Sequence, residues 1–217
     1  MKKLVTVGSF GAKIAIVITA TVGGTALVGS SVFASLTATA TSTSQSVSTG
    51  TLKFTQAASG VAGLTAGFAT AVTSVAPGDT INRFIDITNG GTLAGQNVTL
   101  KVVDGTPTVL TTDATNGLQV TVKECTVAYT TGTGACSGTE TSVLALTPAN
   151  TLLTAQAATF SSTAAGAVVH AKFIISLPAG SENTANGVLP AGTVQGLTSA
   201  LTWTFTEAQR TATNTVA

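Results

Sequence analysis

Residues 167–177, AVVHAKFIISL, place an apolar side chain at every second position, Val169, Ala171, Phe173, Ile175 and Leu177, with His170 and Lys172 between them. A period of two marks a strand with one buried face, because successive side chains of an extended chain point to opposite sides. The pattern recurs. NVTLKVV turns Val98, Leu100 and Val102 inward against Asn97, Thr99 and Lys101, and GLQVTVKE repeats it with Leu118, Val120 and Val122. TINRFIDIT (80–88) aligns Ile81, Ile85 and Ile87, and GLTSALTWTFT (196–206) aligns Leu197, Leu201, Trp203 and Phe205. GFATAVTSV (67–75) reads as a further strand, ended by the turn Pro77-Gly78-Asp79, and Asn89-Gly90-Gly91 supplies the next reversal. Residues 142–162 hold either one short helix or two short strands broken at Pro148. One-sided strands at this spacing predict an all-β chain folded as a single antiparallel β-sandwich. The abundance of Thr and Val with Gly turns points the same way, since β-branched residues favour strands and Gly is a poor helix former.

Charge and chemistry narrow the function. Only 8% of residues are charged and the net charge is +1, with the nine basic residues scattered, so no nucleic-acid partner is expected. His170 is the sole histidine, on the face opposite the apolar row, and reads as a solvent-facing strand residue. Asp79, Asp86, Asp104, Asp113, Glu124, Glu140, Glu182 and Glu207 are spread singly, mostly beside turns; Asp79 reads as a turn residue before a calcium ligand. No HExxH is present, and no second histidine exists to activate any of the many hydroxyls. No catalytic residue, metal or cofactor is expected. LPAGS (177–181) and LPAGT (189–193) echo a sortase motif but read as loop turns, and Asn97-Val98-Thr99 matches a glycosylation sequon placed mid-strand.

The amino terminus has the form of an export signal. Lys2, Lys3 and Lys13 precede the uncharged run Ile14–Val28, and Val32 and Ala34 occupy the minus-three and minus-one positions of a signal-peptidase site. Cleavage between Ala34 and Ser35 is expected; the alternative, an uncleaved anchor, suits a short run interrupted by Gly23 and Gly24 less well. The expected organisation is a signal helix over 1–34, an extended segment over 35–50 and the sandwich over 51–217. In an oxidising compartment Cys125 and Cys136 read as a disulfide clipping a hairpin, contributing about 3 kcal/mol; the alternatives are free thiols or half a metal site.

Four stretches carry a resemblance to a known family: the leader running through FASLTATATSTSQSVSTGTLKF, then APGDTINRFIDITNGGTLAGQNVTLKV, LPAGSENTANGVLPAGTVQGL and ALTWTFTEAQ. With SxGTLxF soon after the leader, then PGD and NxGxL, the chain resembles the camelysin/TasA family of exported bacterial surface proteins. The resemblance implies a jelly-roll sandwich, secretion, and assembly with copies of itself into biofilm-matrix fibres; a metallopeptidase label borne by part of the family is the competing implication, and a monomeric surface adhesin a third. Partners implied are signal peptidase, further copies, and an accessory assembly or anchoring protein.

The segment SLTATATSTSQSVST (35–49) is uncharged and has Leu36, Ala38 and Ala40 at period two. Its composition alone suits a disordered tail. Its alternation, lack of charge and the fibre resemblance suit instead a donor strand, residues 35 to about 48, that completes the sheet of a neighbour.

Overall fold

A computed structural model describes residues 48–60, 67–69, 72–161, 163–180 and 185–213. All lie within one compact unit, 47–217. The leader, the Ala34/Ser35 site and Leu36, Ala38 and Ala40 lie outside the described residues.

Among the described residues, eight strands form two antiparallel sheets. β1 (Phe54–Ala58), β2 (Thr80–Asn89), β7 (Val168–Ser176), β4 (Gln119–Cys125) and β5 (Glu140–Pro148) make the larger sheet, in that spatial order. β6 (Gln156–Ala157), β3 (Gly95–Asp104) and β8 (Leu201–Gln209) make the smaller. The alternating rows meet between them: Ile85 and Ile87 of β2, Val120 and Val122 of β4, and Val169, Ala171 and Phe173 of β7 pack on Val98, Leu100 and Val102 of β3. Phe173 is fully buried and sits edge-on to Phe68, Trp203 and Phe205, with centroids 5.1, 5.3 and 5.9 Å away. Two single-turn helices, α1 (Val109–Thr112) and α2 (Ala149–Leu152), cover one end, and Thr108 caps the first by accepting from Leu110 N.

The all-β sandwich expected from the alternation is present, with three local corrections. Among the described residues of 67–75, which are 67–69 and 72–75, none is in a strand; Gly67, at φ 68°, turns the chain, and Phe68 stacks 5.0 Å from Trp203. β8 begins at Leu201, so Leu197 precedes the strand. Residues 142–162 hold a strand, a helical turn and a short strand in sequence, with Pro148 at the α2 N-cap, where its missing N–H is no loss. Asn97 of the sequon stands exposed on a bulge in β3 at φ 52°.

Numbered along the chain, an eight-stranded jelly roll sets strands 1-8-3-6 against 2-7-4-5. Here 8-3-6 faces 2-7-4-5, but β1 is joined to β2. Among the described residues β8 therefore pairs with β3 alone, and its other edge is open.

Candidate functional site

The open edge borders a groove of about 250 Å³ between the two sheets, lined by Phe54, Thr55, Ile87, Trp203, Thr204 and Phe205. β8 reads LTWTFTE: Leu201, Trp203 and Phe205 face inward, while Thr202, Thr204 and Thr206 are exposed on the other side. Trp203 also borders a second cavity of about 630 Å³, with Ile81, Arg83, Ile175, Leu177 and Val194 around it. Arg83 is buried there on the inward face of β2, and burial lowers its affinity for the proton. From Leu201 to Thr206 this edge carries no charge, and an exposed uncharged edge is a template for another strand, which soluble proteins otherwise block with charge or cover.

Where the chain enters the sandwich, two of the motifs named above form one joint. Thr51 of SxGTLxF accepts from Thr92 N at 2.8 Å and Leu93 N at 3.0 Å, its own N–H donates to Thr92 Oγ1 at 2.8 Å, and Lys53 O accepts from Gly90 N at 2.7 Å. Asn89, fully buried, holds the partner loop: its amide donates to Leu93 O and Thr163 O at 2.9 Å and accepts from Gly91 N at 3.0 Å. Gly91 is required because a Cβ there would collide with the Thr51 carbonyl. This joint pins the root of the amino-terminal segment to the sandwich.

Glu207 continues the inward row of β8 after Phe205 and lies across Gly95, where a Cβ would displace its carboxylate. Both carboxylate oxygens expose less than 1 Å² and accept no hydrogen bond. Burial raises the pKa of the group. A raised carboxyl contributes stability that is present below its ordinary pKa and lost as pH rises through the raised one, so at neutral pH the ionised group opposes folding. Glu207→Gln is expected to stabilise the protein at pH 7, by about 1 kcal/mol, with the gain shrinking toward pH 4. Thermal melts of both forms at the two pH values decide it, and an equal or lower melting temperature for the variant at pH 7 would count against this account.

The outer face of the larger sheet carries a further group of titratable side chains. His170 Nδ1 and Asp86 Oδ1, opposite each other on β7 and β2, share a 2.7 Å hydrogen bond. Glu140 bridges Lys172 at 2.5 Å and Lys123 at 2.9 Å. Burial works against its ionisation, but the two lysine hydrogen bonds outweigh that and hold its carboxyl below the ordinary range. The loop 126–139 folds back over this face, tied by a disulfide from Cys125 to Cys136, and buries Tyr129 edge-on to Phe84 at 5.1 Å and beneath the Lys172 ammonium. Burial, then the charge of Glu140, pushes the Tyr129 phenol up. On the inner face Glu124, also buried, accepts from Ser161 N and Thr141 Oγ1 at 3.0 Å and fastens the 158–163 loop to β4. These are bridging roles between neighbouring strands.

Several expectations about single residues change accordingly. His170 is partly buried and engaged with Asp86 rather than facing solvent alone, and Asp86, Glu124 and Glu140 are cross-strand partners rather than isolated turn residues. Asp79 does hold its turn, accepting from Ala76 N at 2.8 Å. Glu207 was missed; the signal for it is the carboxylate standing in the fourth place of the inward row Leu201, Trp203, Phe205.

A protein-family model described as camelysin metallo-endopeptidase matches residues 9–127. No curated protein matches the chain. The matched span contains no histidine, since His170 lies beyond it. A catalytic zinc needs three protein ligands. Among the described residues no group of three His, Cys, Asp or Glu side chains converges, and both cysteines are bonded. The donor set does not fit that metal.

Proposed function

Because the chain belongs to the camelysin metallo-endopeptidase family, we propose that it is the structural, non-enzymatic kind of member: a secreted subunit that polymerises into extracellular fibres by strand addition. The observation that carries this reading is the open edge of β8, the position that strand 1 fills in a complete jelly roll. Residues 35 to about 48 of a neighbour supply the strand. Their Leu36, Ala38 and Ala40 suit the groove over Phe54, Ile87, Trp203 and Phe205, and Thr37, Thr39 and Thr41 extend the exposed threonine row of β8. Each subunit gives its own segment onward, so the contact is head-to-tail and, without closure, builds an open filament.

Negative-stain microscopy of protein beginning at Ser35 against protein beginning at Gly50 tests the reading. Fibres are expected from the first and none from the second; equal fibres from both would sink it. The non-enzymatic part has its own test, because zinc-dependent casein cleavage by the pure protein, lost on His170→Ala, would reverse it.

A further inference from the structure

Asp86 of β2, His170 of β7 and Cys125 of β4 stand opposite one another across three adjacent strands, on the outer face of the larger sheet. Residues opposed in this way on antiparallel strands have Cβ atoms about 4.5–5.5 Å apart. His170 Nδ1 donates to Asp86 Oδ1 at 2.7 Å, which leaves the lone pair of the ring on Nε2. On the other side of His170 is Cys125, bonded to Cys136. Cys125 is 4% exposed, whereas Cys136, at the far end of the 126–139 loop, is only partly buried. A carboxylate, an imidazole and a cysteine in one row are the groups that move a proton off a thiol: the carboxylate orients the ring, and the ring holds the thiolate as an ion pair. A disulfide that only clips a loop needs no such neighbours.

We propose that Cys125–Cys136 is a thiol–disulfide exchange site in which His170, positioned by Asp86, carries the proton of Cys125. The co-reactant is a dithiol/disulfide oxidoreductase. In the reducing direction a thiolate of that partner attacks Cys136 Sγ, the more accessible sulfur. The S–S bond breaks, its electron pair leaves on Cys125 Sγ, and that sulfur takes the proton from His170 Nε2; the ring is reprotonated by the proton the attacking thiol gave up. The partner's second thiol then attacks its own sulfur in the mixed disulfide and releases Cys136, which takes that thiol's proton. The protein gains two thiols and the dithiol becomes a disulfide. The reverse sequence installs the bond, with His170 removing the Cys125 proton as Cys125 Sγ closes on Cys136. The other groups facing Cys125 do not oppose this. Glu140, opposite it on β5, is bonded to Lys172 of β7 and Lys123 of β4. Tyr129 of the loop lies beneath the Lys172 ammonium with its phenol kept neutral by burial, and Phe84 of β2 is apolar.

The test uses the chain beginning at Ser35 with Cys136→Ser, which leaves Cys125 as its one thiol. Alkylation by iodoacetamide is followed by mass at pH 6.5 and pH 9, and the ratio of the two rates cancels differences in access. An ordinary thiol is about 1% ionised at pH 6.5 and reacts there roughly a hundredfold slower than when fully ionised. For Cys125 the two rates are expected to lie within about tenfold of each other, because the imidazolium favours the thiolate. Adding His170→Gln, which can still donate to Asp86 but cannot hold the proton, is expected to widen the gap by at least about tenfold. Asp86→Asn should move the ratio in the same direction, which a purely structural role would not do; an unmoved ratio strikes Asp86 from the site. Equal ratios with and without His170 overturn the proposal. A Cys125 that reacts at neither pH, although the unfolded chain is labelled, also overturns it, since an exchange site must be reachable once the bond has opened. A second measurement alters no cysteine: with the disulfide intact, His170→Gln should be reduced by dithiothreitol at pH 7 at least about threefold more slowly than the unsubstituted protein, because the poorer leaving thiol departs more slowly. An equal or faster reduction counts against the role of His170.

Discussion

Phe173→Ala is expected to destabilise the protein by about 3–5 kcal/mol, the range for an aromatic side chain removed from a packed core. Phe173 is fully buried at the middle of β7, the central strand of the larger sheet, and its ring meets three others, two of them on β8 of the opposing sheet. Truncation therefore leaves a void bounded by Phe68, Trp203 and Phe205, and the flanking backbone, held by pairing to β2 and β4 on either side, cannot move in to fill it. A loss of that size takes much of the stability of an ordinary domain. Denaturant titration followed through Trp203 fluorescence measures it; a loss under about 1 kcal/mol would show that the two sheets are not held together at this ring.

Breaking the Cys125–Cys136 bond, by reductant or by a double serine substitution, is expected to remove about 3 kcal/mol. The bond spans 11 positions and ties the tip of the 126–139 loop to the end of β4. Its release frees the loop to leave Phe84, and Tyr129 then exchanges burial for water. The melting temperature should fall by roughly 6–12 °C, and Tyr129 should titrate nearer the ordinary phenol range once the loop opens. Iodoacetamide should label neither cysteine in the folded protein before reduction. An unchanged melt after confirmed reduction would mean the loop is held by Phe84 and Lys172 packing alone.

The strands legible in the sequence are those with one face wholly apolar. In β3 and β7 the buried row and the exposed row separate cleanly, so a period of two was enough to locate them and to name their inward side. β1 escaped because FTQAA has a single large side chain and lies at a sheet edge, where only Phe54 is partly buried. GFATAVTSV was misleading for the opposite reason: its apolar residues line a cavity and stack on Trp203 from a loop, which needs no periodicity. The polar pairings were beyond reach of a linear reading. His170 and Asp86 are separated by 84 positions and become neighbours only through the register of β2 on β7. The open edge of β8 was hidden likewise, since the choice of β1 between two sheets is decided by tertiary packing.

The strand order also dictates when the receiving edge can come into being. β4 and β5, separated by residues 126–139, are the paired strands nearest in sequence; the other large pairings join more distant parts of the chain, and the contact from Gln96 to Gln209 spans 113 positions. Sheets dominated by such separations close slowly, in about milliseconds to seconds, because the entropy of the intervening loop is lost before the contacts form. During synthesis the long side of β3 emerges with no partner until residues 201–209 follow. β8 docks on a sheet that is otherwise already built. The edge that accepts a neighbour is thus presented only by a molecule that has finished folding, which keeps growing chains from being captured half made.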